Sequence, residues 1–265
     1  MIELALCNEL LAREGLDLDR QCEVASELGY MGLELAPGTL ATQPHEITAP
    51  QASAIRRRIE GHGLKVTGLH WLLAPYPELS IIETKAREAT RAVLLHLVTL
   101  CGELGGRVLV HGSPGQRCPV QGMTPAEAEA TLADFFAPVA AAAERAGVVY
   151  CLEPLSPAET PVVTTLSAAL DVVDAVGSPA FRTMIDSSAA GQSESVSVPE
   201  LLERHLGDPR IAHIQLNDTN RGGPGMGSDP FPAIVRAIRR ANWPHPVAVE
   251  PFRTVVDAGA TAALA

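Results

Sequence analysis

The 265-residue chain carries a net charge of −11, with 46% hydrophobic residues but only 4% aromatic ones. No stretch reaches the roughly 18 unbroken apolar residues of a membrane span: His96 with Glu103, and Glu144 with Arg145, interrupt the longest candidates, so membrane insertion is excluded. The acidic balance repels phosphate backbones, which disfavours nucleic acid as a partner and favours small-molecule chemistry.

Glu3 and Glu9 stand where a signal peptide would carry a basic region. The five cysteines, Cys7, Cys22, Cys101, Cys118 and Cys151, contain no C-x-x-C pair. A cytoplasmic protein without a disulfide framework or zinc ribbon is therefore expected.

Along the chain, short apolar runs alternate with longer segments of helical period. Strands are expected over 2–7, 32–36, 65–71, 107–111, 148–153, 182–186, 211–216 and 247–250. Helices fall between them, near 17–28, 50–61, 80–104, 124–146, 165–176, 198–206 and 230–241, with a short terminal one after Val255. Thr124-Pro125 opens the fourth of these with a cap and an N1 proline, and Gly147 closes it. The Ser/Gly-rich stretch Ser187–Ser197 reads as a loop by composition.

Near-continuous apolar strands are buried on both faces, and parallel strands need helical crossovers. Eight such units predict one closed (β/α)8 TIM barrel, α/β in class, spanning residues 1–265 as a single domain. A doubly wound open sheet is the alternative; no G-x-G-x-x-G follows the first strand and no P-loop lysine motif occurs.

The active site of a parallel barrel lies at the carboxyl ends of its strands. Glu153, Asp186 and Glu250 end strands five, six and eight, and His213 sits within strand seven. Each is about one strand-helix unit from the next, which brings all four to one mouth. Three crowded carboxylates repel one another without a cation, and an oxygen-rich set with one nitrogen suits manganese, magnesium, cobalt or zinc. One divalent cation is expected there.

The order of these residues, together with VVYCLEPLSPAET (Glu153 and, six residues on, Glu159) and HIQLNDTNRGGPGMG (R-x-x-P-G-x-G as Arg221 to Gly227), resembles the xylose-isomerase-like barrel superfamily of sugar isomerases and epimerases. The resemblance spans nearly the whole chain. It implies that Glu153, Asp186, His213 and Glu250 are metal ligands, that Glu153 and Glu250 form an acid-base pair, and that Glu159 and Arg221 hold substrate oxygens. The implied reaction is metal-dependent isomerisation or epimerisation of a small hydroxy-carbonyl compound, a sugar or sugar-derived acid, through an enediolate. Alternatives within the superfamily are an inosose-dehydratase-like lyase and an endonuclease IV-like nuclease; a non-catalytic barrel is the third. One departure stands out: Ala189 replaces the histidine commonly found three residues after the strand-six aspartate, which implies the loss of a substrate-polarising contact.

His70-Trp71 ends strand three and His111 ends strand four, so all three are candidates to line the mouth, with Trp71 as an apolar wall against a sugar. In the nuclease branch the two histidines would be additional zinc ligands. Glu34 on strand two is either a mouth carboxylate or the partner of an arginine. The Gly-rich segment Asn220–Gly227 is expected to lie over the mouth and bring Arg221 to a substrate oxygen. A small carbohydrate-like molecule is the expected partner, and assembly into a homo-oligomer stays open.

Overall fold

A computed structural model describes residues 2–254 and 257–264. Eight strands pair in parallel and in chain order: β1 (Leu4–Cys7), β2 (Gly32–Leu35), β3 (Lys65–Leu69), β4 (Val108–His111), β5 (Val149–Leu152), β6 (Phe181–Asp186), β7 (Ile211–Leu216) and β8 (Val247–Val249). β8 pairs with β1 through Ala5↔Ala248, which closes the barrel.

The seven expected crossover helices are α2 (Leu18–Glu27), α3 (Ala49–Gly61), α4 (Thr84–Leu104), α5 (Pro125–Ala146), α6 (Leu166–Val176), α8 (Val198–His205) and α9 (Phe231–Arg240). The terminal helix expected after Val255 is α10 (Ala258–Leu264), and Val255 itself lies outside the described residues. Their limits follow local chemistry. Thr124 and Glu127 form a reciprocal capping box at the start of α5, and Gly147 closes the helix at φ 69°, in the left-handed region that glycine enters without steric cost.

Two helices were not expected. α1 (Glu9–Arg13) follows β1 directly, and α7 (Ser187–Ser193) replaces the front of the loop anticipated over Ser187–Ser197. The Asp186 side chain accepts the Ala189 N–H at 2.7 Å, so the last residue of β6 is also the N-cap of α7. A capped first turn outweighs the modest helix propensity of serine and glycine.

Side chains alternate across each strand. Leu33, Leu35, Leu69, Leu109, Tyr150 and Leu152 pack outward into the main core beneath the helices. Val108, Val110, Cys151, Met184 and Ala212 form a small apolar cluster inside the barrel. Above it the interior turns polar, and Cys7, Glu34, His70, Glu153, Asp186, His213, Gln215 and Glu250 are all buried. Among the described residues no helix is long and apolar enough to cross a membrane.

Gly68 marks a close approach between neighbouring strands. A Cβ there would lie 2.4 Å from the Val108 carbonyl oxygen and 2.6 Å from Val108 Cγ1. Gly68→Ala is therefore expected to destabilise the fold by about 1–3 kcal/mol, read as a lowered urea midpoint; an unchanged midpoint would refute this packing.

Candidate active site at the carboxyl end of the barrel

Glu153 and Glu250 each stand one residue beyond their strand, and Asp186 closes β6. The interior phase of β5, β6 and β8 turns all three side chains inward. All are buried, and each offers a carboxylate oxygen within 4.8 Å of the other two. Gly112 makes room for this arrangement, since a Cβ there would fall 2.5 Å from Glu153 Oε2.

Burial first, and then the charge of Asp186, push the Glu153 carboxyl well above the usual carboxylate range, against the opposing pull of Arg117. Glu250 is raised in the same way, by burial and then by Glu9, Glu153 and Asp186. Burial pushes Asp186 up to about 6 even though the Ala189 N–H and the Asn217 amide hydrogen-bond to it. These groups fit a divalent cation: charged together they are mutually destabilised, and a cation would favour the ionised form of all three.

Two buried acid-imidazole pairs adjoin them. His213 Nε2 faces Glu34 Oε2 at 2.9 Å, and Gln215 Nε2 donates to Glu34 Oε1 at 2.8 Å. Burial alone would raise the Glu34 carboxyl, but the His213 charge and these contacts hold it down to about 2. His70 Nε2 meets Glu9 Oε2 at 2.7 Å and stands 4.0 Å from Glu250 Oε1. Burial works to lower the His70 pKa, yet Glu9 and then Glu34 carry it above its ordinary value.

Several expectations need correction. His213 lies inside the barrel within β7, where it was placed, but it engages Glu34 instead of joining the three carboxylates. Glu34 accordingly answers a histidine, neither standing free at the mouth nor pairing with an arginine. His111 leaves the mouth altogether. Val108 and Val110 face inward, so His111 faces outward, where Nδ1 meets the Tyr150 hydroxyl at 2.7 Å and the ring packs edge-on against Phe136. Burial, helped by Arg117, pushes His111 down to about 3, which makes it a neutral wall residue.

Trp71 is at the mouth as expected, and its indole Nε1 donates to Glu250 Oε1 at 2.9 Å. Arg221 and Glu159 meet directly through Nη1 and Oε1 at 2.8 Å, while Ser156 Oγ donates to Glu159 Oε2. Both line a cavity of about 370 Å³ together with Trp71, Glu153, Glu250 and Phe252, within the roughly 300–1,000 Å³ usual for small-ligand sites. Trp71 stacks on Phe252, Arg221 covers Phe252 at 4.0 Å, and Arg13 lies over Trp71 at 4.6 Å. The result is a ladder of arginine, two aromatic rings and arginine across the mouth. Trp71 and Arg221 occupy the left-handed backbone region at φ 52° and 68°, a strain of about 1–3 kcal/mol each that the surrounding contacts must offset.

Sequence reasoning missed four residues here. Gln215 shares the inward phase of His213, lies in register with Asp186, and has a buried Oε1 with no partner among the described residues. Glu9 entered the reading only as a charge at the amino terminus. Arg117 is wholly buried and donates from Nη1 to the Glu153 carbonyl at 2.8 Å. It sits in a Gly/Pro-rich stretch that reads as solvated loop, and Phe252 likewise lies in irregular chain, so neither carried a periodic signal. The hydroxyls of the serines beside Ala189 are engaged by neighbours: Ser187 Oγ donates to the Asn217 carbonyl at 2.6 Å, and Ser188 Oγ accepts from Gln192 Nε2 at 3.1 Å.

The family described as xylose isomerase-like TIM barrel matches residues 22–264. A D-psicose 3-epimerase from Enterocloster bolteae is 34% identical over 110 residues, 42% of this chain but only 36% of that protein's length. A protein provisionally named hydroxypyruvate isomerase from Streptomyces coelicolor is 26% identical over 211 residues, covering 76% of this chain and 74% of its own. The crystal structure of a 3-keto-D-glucoside 4-epimerase from E. coli superposes with a TM-score of 0.80 at 18% identity, over 100% of this chain and 98% of the other. That last similarity concerns the fold.

The Glu34–His213 pair has a defined pH signature. With the folded carboxyl held near 2 against an ordinary 4.5, its stabilising contribution is whole above about pH 4.5 and is lost as the pH falls through 2. Glu34→Gln removes the buried carboxylate that faces His213 Nε2 and accepts from Gln215, and is expected to cost about 1–3 kcal/mol at pH 7. Denaturant titrations of both proteins should show that difference shrinking below pH 4; a constant difference would contradict the pairing.

Proposed function

The chain belongs to the xylose isomerase-like TIM barrel family, and on that premise we propose that it is a divalent-metal-dependent isomerase or epimerase of a small hydroxy-carbonyl compound, a sugar or sugar-derived acid. The observation that carries this reading is the buried trio Glu153, Asp186 and Glu250, gathered within 4.8 Å beside a cavity of about 370 Å³. Glu153, Asp186 and Glu250 would hold the cation, with Gln215 Oε1, which has no partner among the described residues, as the neutral fourth donor in the place expected for His213. When bound, such a cation supplies Lewis-acid polarisation of carbonyl and hydroxyl oxygens.

The protein's own groups supply the proton chemistry. Glu153 and Glu250 come from strands on different sides of the mouth, so one carboxylate takes the proton beside the carbonyl and the other returns a proton to the enediolate, at the neighbouring carbon or on the opposite face. Trp71 holds one Glu250 oxygen by its indole N–H and leaves the other for the substrate. The Glu159–Arg221 pair presents an acceptor and a fork of donors to substrate hydroxyls across the cavity.

The nuclease reading would use His111 as a zinc ligand, and His111 points into the barrel wall toward Tyr150. Abasic duplex supplied with zinc is accordingly expected to remain uncut.

Solvent deuterium incorporation tests the proposal. With Mn²⁺ present, ketoses or hydroxypyruvate should acquire deuterium at the carbon beside the carbonyl. Glu153→Gln and Glu250→Gln should each slow this by about 10²–10⁴-fold while keeping the parent's circular dichroism. Near-parental exchange in either variant would remove that residue from the acid-base role.

A further inference from the structure

A second and larger cavity, about 880 Å³, adjoins the first, and the two share Trp71 and Ala74. It lies between the chain following β1 and the chain following β2, and its lining includes Glu9, Arg13, Asp17, Leu40, Thr42 and Arg58. Nothing in the proton chemistry described above uses it.

Most of its polar groups are already answered by neighbours. Asp17 caps α2 through the Arg20 N–H. Arg58 is bound by Asp19 through two hydrogen bonds. Gln21 is held between Asn8 and the Leu16 carbonyl. Two groups stand out. Arg13 forms no ion pair among the described residues and lies over the face of Trp71 at 4.6 Å. Glu9 is buried; its Oε2 meets His70, and its Oε1 has no hydrogen-bond partner among the described residues.

We propose that this cavity is a subsite for the distal part of the substrate, in which Arg13 binds an anionic group, carboxylate or phosphate, and Glu9 Oε1 accepts a hydroxyl hydrogen bond. The proposal rests on the isomerase reading and narrows its substrate class to hydroxy-carbonyl compounds that carry an anion away from the reacting carbons. The physical basis is direct. A guanidinium offers paired donors matched to carboxylate or phosphate oxygens. Its position on Trp71 places that charge where the two cavities join, so one molecule can reach from the carboxylate trio to Arg13. A strongly acidic chain otherwise disfavours anions, which makes this cation at the mouth a determinant of selection.

Equilibrium dialysis of the Mn²⁺-supplemented protein with D-fructose, D-fructose 6-phosphate and 5-keto-D-gluconate tests this. At least one of the two anions is expected to bind about tenfold or more tightly than fructose, and which one does so distinguishes phosphate from carboxylate. Arg13→Gln should erase the preference, whereas Arg56→Gln, outside the cavity, should keep it. Thr42→Trp, which fills the cavity from an exposed position, should weaken the anion at least tenfold. Equal binding of all three compounds, no binding of any at millimolar concentration, or a preference that survives Arg13→Gln would overturn the subsite. Deuterium exchange followed in parallel separates the two readings: an intact anion preference without exchange overturns the isomerase reading alone, and exchange without preference overturns the subsite alone.

Discussion

Mutual repulsion among three carboxylates in a dry enclosure is the constraint on which the rest of the site depends. Glu153, Asp186 and Glu250 are brought together by strands whose outward faces are committed to the core, so they cannot turn away without exposing leucine and valine positions to rearrangement. In a low-dielectric interior, ionising all three at once is costly, and the raised pKa values of the trio record that cost. Proton uptake relieves it only partly. A divalent cation would relieve it while leaving carboxylates able to exchange protons with a substrate, which would link the stability problem to the proposed chemistry.

Around the trio the same conflict is resolved internally. Glu34 is answered by His213 and Gln215, and Glu9 by His70, whereas the hydrogen bonds that reach the trio's carboxylates, from Trp71, Asn217 and the Ala189 N–H, come from neutral donors. This gradation concentrates unbalanced charge at the mouth, beside the cavity and under the ladder of Arg13, Trp71, Phe252 and Arg221. Arg117 supports the arrangement from the side by binding the backbone of Glu153 rather than neutralising its carboxylate through direct contact.

Much of this was legible because a barrel strand imposes a period of two and ends at the functional face. Acids that terminate apolar runs were therefore readable as mouth residues, and the closed order β1 to β8 followed from eight alternating units. The same period, applied more strictly, would have turned His111 outward once Val108 and Val110 were taken as inward, and would have picked out Gln215 along with His213. Depth along the strand was harder to read: whether an inward histidine meets the mouth or the layer beneath depends on register, and the register shifts between Thr183 and Met184 along the β6–β7 pair. Composition reads Ser187–Ser193 as loop because serine and glycine are modest helix formers, and it does not disclose that Asp186, the last residue of β6, caps a turn there. Nor could local sequence disclose the aromatic ladder, whose four members lie at positions 13, 71, 221 and 252 and meet only through tertiary packing.

A calorimetric Mn²⁺ titration of the metal-stripped protein tests the central claim most directly. One saturable site per chain, accompanied by proton release at neutral pH and abolished in Asp186→Ala, is the result that the carboxylate trio requires. Absence of saturable binding in the parent, or equal binding by the Asp186→Ala protein, would show that the trio is not a cation site.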